Sequence, residues 1–215
     1  MEVQRLVKPK LRGVFHEVGF YAAAVLGVVL VLTADPGRAR IAGAIFAGSV
    51  AVCFGASALY HRPMWAPRAR AWLARLDHAG IYLLIAGTYA PFGLIVMSRG
   101  WAIPILAIVW SGALIAIVLK LFWLQAPKWL SAAIGLTLGW VAAAAFPQLL
   151  KLSIVAVLLV AAGGLLYTAG AVIYARRRPD PLPLVFGYHE LFHVFTVAAA
   201  ACQYVAVAFY VLPRA

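Results

Sequence analysis

The sequence predicts an all-α, polytopic membrane protein: a bundle of seven transmembrane helices with its N-terminus in the cytoplasm and its C-terminus outside. Three observations carry that prediction. Of the 215 residues, 66% are hydrophobic and only 11% charged, with a mean hydropathy of +0.97, whereas a soluble domain is nearer half apolar and a quarter charged. The apolar residues gather in seven runs, each near the roughly 20 residues that a spanning helix needs. The basic residues collect in alternate connectors between those runs, which is how cytoplasmic membrane loops are marked.

In chain order the runs cover residues 15–34, 41–60, 78–97, 101–119, 129–146, 152–175 and 184–212. Turn and breaker residues separate them: Asp35-Pro36-Gly37, Pro63 with Pro67, Ser98-Arg99-Gly100, Pro127, Pro147, and the stretch from Pro179 to Pro183. No soluble domain fits between them, so residues 1–215 read as a single seven-helix membrane domain with a short basic tail over 1–14. That tail before an apolar run imitates a signal peptide. The run is long enough to span and six more follow it, so it is read as the first helix. Cys53 and Cys202 both fall within apolar runs and read as buried thiols.

A net charge of +12 would suggest a nucleic-acid partner in a soluble chain; here the distribution excludes that reading and sets orientation instead. The N-terminal tail (Arg5, Lys8, Lys10, Arg12) and the second, fourth and sixth loops hold 13 of the 18 lysines and arginines. The loop residues are Arg62, Arg68, Arg70 and Arg75, then Lys120 and Lys128, then Arg176, Arg177 and Arg178. By the positive-inside rule these segments are cytoplasmic. Trp65, Trp72, Trp101, Trp123 and Trp129 fall near span ends, where interfacial aromatics belong.

Loop counting then gathers the polar residues. His61 ends the second helix, Asp77 and His78 open the third, and His189 and His193 open the seventh. His16 and Glu17 begin the first, so all five histidines lie near the inner leaflet. His189 and His193 are four apart, on one face of a helix, and both imidazoles can reach one metal ion. The string His189-Glu190-Leu191-Phe192-His193 also satisfies the His-Glu-x-x-His pattern of zinc peptidases. Three neutral imidazoles form a zinc set that leaves a fourth position for water and lowers its pKa to about 7. Asp77 would orient that water or act as general base, and Ser57, one turn before His61, would support the site or bond a substrate carbonyl.

Simpler readings stand beside these. Histidines at helix ends can merely mark the water interface, which holds for His16 and His78 as well as it does for a site. Asp77 could cap its helix, Ser57 could satisfy a backbone carbonyl, and Glu190 could face a neighbouring helix. Gly80, Gly87, Gly93, Gly163, Gly164 and Gly170 read as close helix packing.

Three stretches, in this order and at these helix ends, resemble the bacterial hemolysin III family. They are Ser57-x-x-x-His61, Asp77-His78-Ala79-Gly80-Ile81-Tyr82 running into Ala86-Gly87-Thr88-Tyr89-Ala90-Pro91, and His189-Glu190-Leu191-Phe192-His193. That family belongs with the progestin and adipoQ receptors and, more distantly, the alkaline ceramidases. The resemblance implies a Zn2+ site with His61, His189 and His193 as direct ligands, Asp77 acting through the metal-bound water, and Ser57 beside it. It carries no metal role onto His16. It also implies the seven-helix bundle and a place in the bacterial plasma membrane, with membrane lipids as partners.

Four functions compete. The first is a zinc-dependent hydrolase of lipid amides or esters, ceramidase-like and involved in membrane lipid homeostasis, with Asp77 and Ser57 as its catalytic residues. The second is a non-enzymatic membrane sensor or receptor with structural zinc. The third is the pore-forming cytolysin that the hemolysin name invites. The fourth is an intramembrane peptidase with Glu190 as base.

Overall fold

A computed structural model describes residues 8–215; Glu2 and Arg5 lie outside the described residues. Among these, no strand forms beyond one isolated bridge between Leu182 and Phe186. The elements are α1 (Val14–Thr33), α2 (Arg38–His61), α3 (Pro67–Pro91, continued by a π-helical turn Phe92–Val96) and α4 (Arg99–Phe122). Then come α5 (Lys128–Trp140), a 3-10 segment (Val141–Ala145), the short α6 (Phe146–Leu149), α7 (Ile154–Arg176) and α8 (Tyr188–Ala206, continued by a π-helical turn Val207–Val211). Seven of these units, with α5, the 3-10 segment and α6 counted as one, are long and apolar enough to cross a membrane. The chain is a multi-pass membrane protein. Its outer surface fits that solvent: Leu32, Ile115, Ile154 and Phe209 are each more than two-thirds exposed, as side chains facing lipid tails would be.

Two boundaries differ from the sequence reading. The third helix starts at Pro67 rather than 78, because Arg68, Arg70 and Arg75 lower the hydropathy of residues that are otherwise good helix formers. Pro67 takes the first helical position, where its missing N–H costs nothing. Asp77 therefore sits well inside α3 and caps nothing. The seventh helix starts at Tyr188 rather than 184. The apolar residues before it form a turn whose carbonyls accept from the N-terminal segment, Lys10 N–H to Leu184 and Leu11 N–H to Val185, each at 3.1 Å.

Helices α1, α2, α3 and α8 pack at small residues. A Cβ at Gly80 would meet the backbone of Cys53, and one at Gly87 would run into the side chain of Ser49, so α3 approaches α2 backbone to backbone. Tyr89 ties α3 to the fifth span: its hydroxyl reaches the carbonyls of Leu138 (2.9 Å) and Gly139 (2.6 Å) and accepts from Ala142 N–H at 2.8 Å.

Candidate metal centre

His61 is the last residue of α2, and its imidazole is brought under the bundle by the start of α1. Gly13 adopts φ +81° there, and a Cβ on it would collide with that of His61, so only glycine serves. Nε2 of His61 lies 3.1 Å from Nε2 of His189 and 3.6 Å from Oδ2 of Asp77. One ligand atom from each of His61, His189 and His193 falls within 4.8 Å of the other two. Two nitrogens held about 2.0–2.1 Å from one tetrahedral ion lie about 3.3 Å apart, so the spacing suits a shared ion.

The donor chemistry agrees. Nδ1 of His193 and Oγ of Ser57 are buried without a hydrogen-bond partner among the described residues, an arrangement that native structures seldom leave unexplained. The three histidines could hold a metal ion. Ser57 stands one turn before His61, and Asp77 reaches the same place from α3. His16 is stacked on His193 with ring centroids 3.8 Å apart and on Phe54 at 4.7 Å, 2% exposed. It sits against the trio, outside the ligand group.

Glu190 points elsewhere. It is fully buried, accepts the Gly187 N–H at 2.9 Å and pairs with Arg12. Asp180 accepts the next N–H, that of Tyr188, at 2.8 Å. Both acids therefore satisfy orphan donors at the start of α8, and the peptidase-like reading of Glu190 does not hold geometrically. Arg62 pairs with Glu17 at 2.6 Å, and Lys8 donates to the Arg62 carbonyl at 2.8 Å, closing the same end of the bundle. Lys8 lies outside the spans; burial, then Arg62, Arg70 and Arg12, lower its pKa. Lys128 donates to Tyr188 at 2.6 Å, and its ammonium lies 4.7 Å from the ring centroids of Tyr174 and Tyr188.

A cavity of about 610 Å³ adjoins this cluster. Ser57, Asp77, His189 and His193 line it at one end, Phe92, Met97 and Leu149 at the other. Between Asp77 and Phe92 the axis of α3 rises about 22 Å, at 1.5 Å per residue, most of a hydrocarbon core of about 30 Å. The lining between is mainly apolar, with Thr88, Tyr167, Thr196 and Gln203 among it, so the arrangement is a polar cluster at one end of a long, largely apolar hollow. Arg12, Tyr174 and Lys128 belong to its surroundings and were invisible in the sequence. Each acts across helices, and nothing in its local spacing announces it.

Residues 4–204 match the haemolysin-III related family. The chain is 30% identical over 204 residues to Hemolysin-3 of Bacillus cereus, covering 93% of this chain and 90% of that protein. It is 31% identical over 199 residues to a Hemolysin-3 homolog of Bacillus subtilis (strain 168), covering 91% and 90%.

Proposed function

The chain belongs to the haemolysin-III related family of membrane proteins, and on that premise we propose that it binds zinc through His61, His189 and His193 and hydrolyses an amide or ester bond of a membrane lipid. The observation that carries this is the convergence of three imidazoles and a carboxylate at one end of an apolar cavity. The excess of basic residues at that end supports a site at the cytoplasmic leaflet. Held by three neutral imidazoles, zinc supplies Lewis acidity toward a carbonyl and activates water at neutral pH.

The remaining work belongs to side chains. The Asp77 carboxylate, 3.6 Å from His61 Nε2, accepts a proton as water attacks and returns it to the leaving nitrogen or oxygen. The buried Ser57 hydroxyl, beside Asp77, donates to the carbonyl oxygen as charge develops on it. The apolar walls hold the acyl chain and keep bulk water from the reacting bond.

The relatives' name speaks for cytolysis, but an apolar hollow that ends in a polar cluster suits a lipid tail better than a water path. A sensor with structural zinc is the reading to separate. Metal content and lipid hydrolysis are measured together on the purified protein. His193→Ala should lose both. Asp77→Asn should keep metal, with affinity down no more than about 10–100-fold, while turnover falls about 10²–10⁴-fold. Turnover that survives metal removal would sink the hydrolase reading, and Asp77→Asn at full signalling output would favour the sensor.

A further inference from the structure

The buried face of α4 begins with Ala102 and Ile105 and ends in the row Val109, Ala113, Ala116 and Lys120, spaced at three and four residues as one helix face requires. Three members are apolar. The fourth is a lysine only 4% exposed, while its neighbour Phe122 faces outward at 86%. The sequence reading counted Lys120 as a loop cation; it lies inside the helix instead. A lysine near the end of a spanning helix ordinarily snorkels to the headgroups. This one turns inward and lines the cavity together with Asp77 and His78.

No partner meets it there. The ion pairs among the described residues join Arg12 to Glu190, His61 to Asp77 and Arg62 to Glu17. The side-chain hydrogen bonds among those residues do not include Lys120 either; the nearby cation Lys128 is the one that Tyr188 satisfies. His78 Nδ1, on the same lining, is also buried and unpartnered. An ammonium that looks into a largely apolar cavity with no counter-charge beside it is poorly solvated, and an anion arriving in the cavity would relieve that cost.

We propose that Lys120 anchors the anionic group, a phosphate or carboxylate, of an amphiphilic lipid whose chain fills the cavity. This rests on the hydrolase reading for one further step only: the lipid is the substrate, and its anionic group lies on the α4 side of the bond presented to the histidines. A neutral amide lipid would leave Lys120 uncompensated.

Binding, rather than turnover, tests it. The full-length protein in phosphatidylcholine nanodiscs is titrated with dodecyl phosphate, with dodecanol and with inorganic phosphate, before and after chelation of metal. Dodecyl phosphate should bind about tenfold to a hundredfold tighter than dodecanol, the range of one charge-assisted hydrogen bond. That preference should survive chelation, persist in Lys120→Arg and vanish in Lys120→Met. No preference in the wild type overturns the proposal, as does a preference that Lys120→Met keeps or that Lys120→Arg loses. Inorganic phosphate binding as tightly as dodecyl phosphate would overturn the lipid assignment. A Lys120-dependent preference without hydrolysis of any phospholipid keeps the anchor and removes the hydrolase reading; hydrolysis without the preference does the reverse.

Discussion

Helices α2 and α3 touch through glycine and alanine, and 50% and 56% of their apolar windows are buried, with 39% for α8. Across the cavity, the fifth span and α7 bury only 11% and 17%. Glycines record part of this contrast: Gly87 has no room for a Cβ against Ser49 and Gly139 and Gly164 have nothing within 4 Å, while Gly163 and Gly170 mark where α7 closes on α8. The seam carries His61, Asp77, His189 and His193. The opposite wall is tied to it by α7, which packs along α8 at Gly163 and Gly170, and by Tyr89. Donor atoms of a metal site need fixed positions, and a hollow that accepts a flexible chain needs slack; in the proposed function each demand falls to a different set of helices.

The largest effect expected on the seam comes from Arg12→Gln. Glu190 is fully buried, so removing its partner leaves a carboxylate without counter-charge and should cost about 3–5 kcal/mol. Glu190→Gln should cost less, because Arg12 keeps 23% side-chain exposure and can be hydrated. Thermal denaturation in mild detergent reads the order, and metal analysis should find Glu190→Gln still loaded. Equal losses would mean that the pair is solvated, and that the start of α8 is no firmer than the far wall.

Next in size is the glycine contrast. Gly87→Val should destabilise by about 1–3 kcal/mol through overpacking, whereas Gly164→Ala should stay within about 0.5 kcal/mol. Denaturation midpoints of the two variants decide it. A large loss at Gly164 would show that the cavity wall closes more tightly in the membrane than its geometry indicates.

How much of this was legible follows from which interactions are local. Spans could be read because twenty apolar residues in a row have one use, and the trio because His189 and His193 share a helix face while loop counting brought His61 and Asp77 to the same end. The start of α3 was missed because three arginines mask a helix whose other residues favour it. Lys120 was misread because hydropathy cannot say which way a side chain turns: the row Val109, Ala113, Ala116 carried the answer, but only burial shows that it faces a cavity. Arg12 and Glu190, 178 residues apart, leave no mark in local sequence. His16 stands outside the trio, and its stacking on His193 depends on the packing of α1 against α8. The sequence places the fifth span over 129–146, and its break at Val141–Ala145 lies just ahead of Pro147, whose ring opposes the carbonyl four residues back, that of Ala143. The hydroxyl of Tyr89, a tyrosine on another helix, takes up the backbone groups that the break frees.

That tyrosine gives the smallest and most specific effect. Ala142 N–H, which an unbroken α-helix would pair with the carbonyl four residues earlier, donates to the Tyr89 hydroxyl instead, while the same hydroxyl reaches Leu138 and Gly139. Tyr89→Phe removes these bonds and leaves a partly buried N–H to find a partner along its own chain. The net loss should be about 1 kcal/mol, below that of Gly87→Val, because the freed backbone can wind toward regular helix and recover part of it. The discriminating readout is local. Hydrogen exchange at residues 141–145 should change in Tyr89→Phe while exchange along α2 and the metal content stay as in the wild type. If the seam loosened as well, the two sides of the cavity would be one cooperative unit, and their different packing would not be a division of labour.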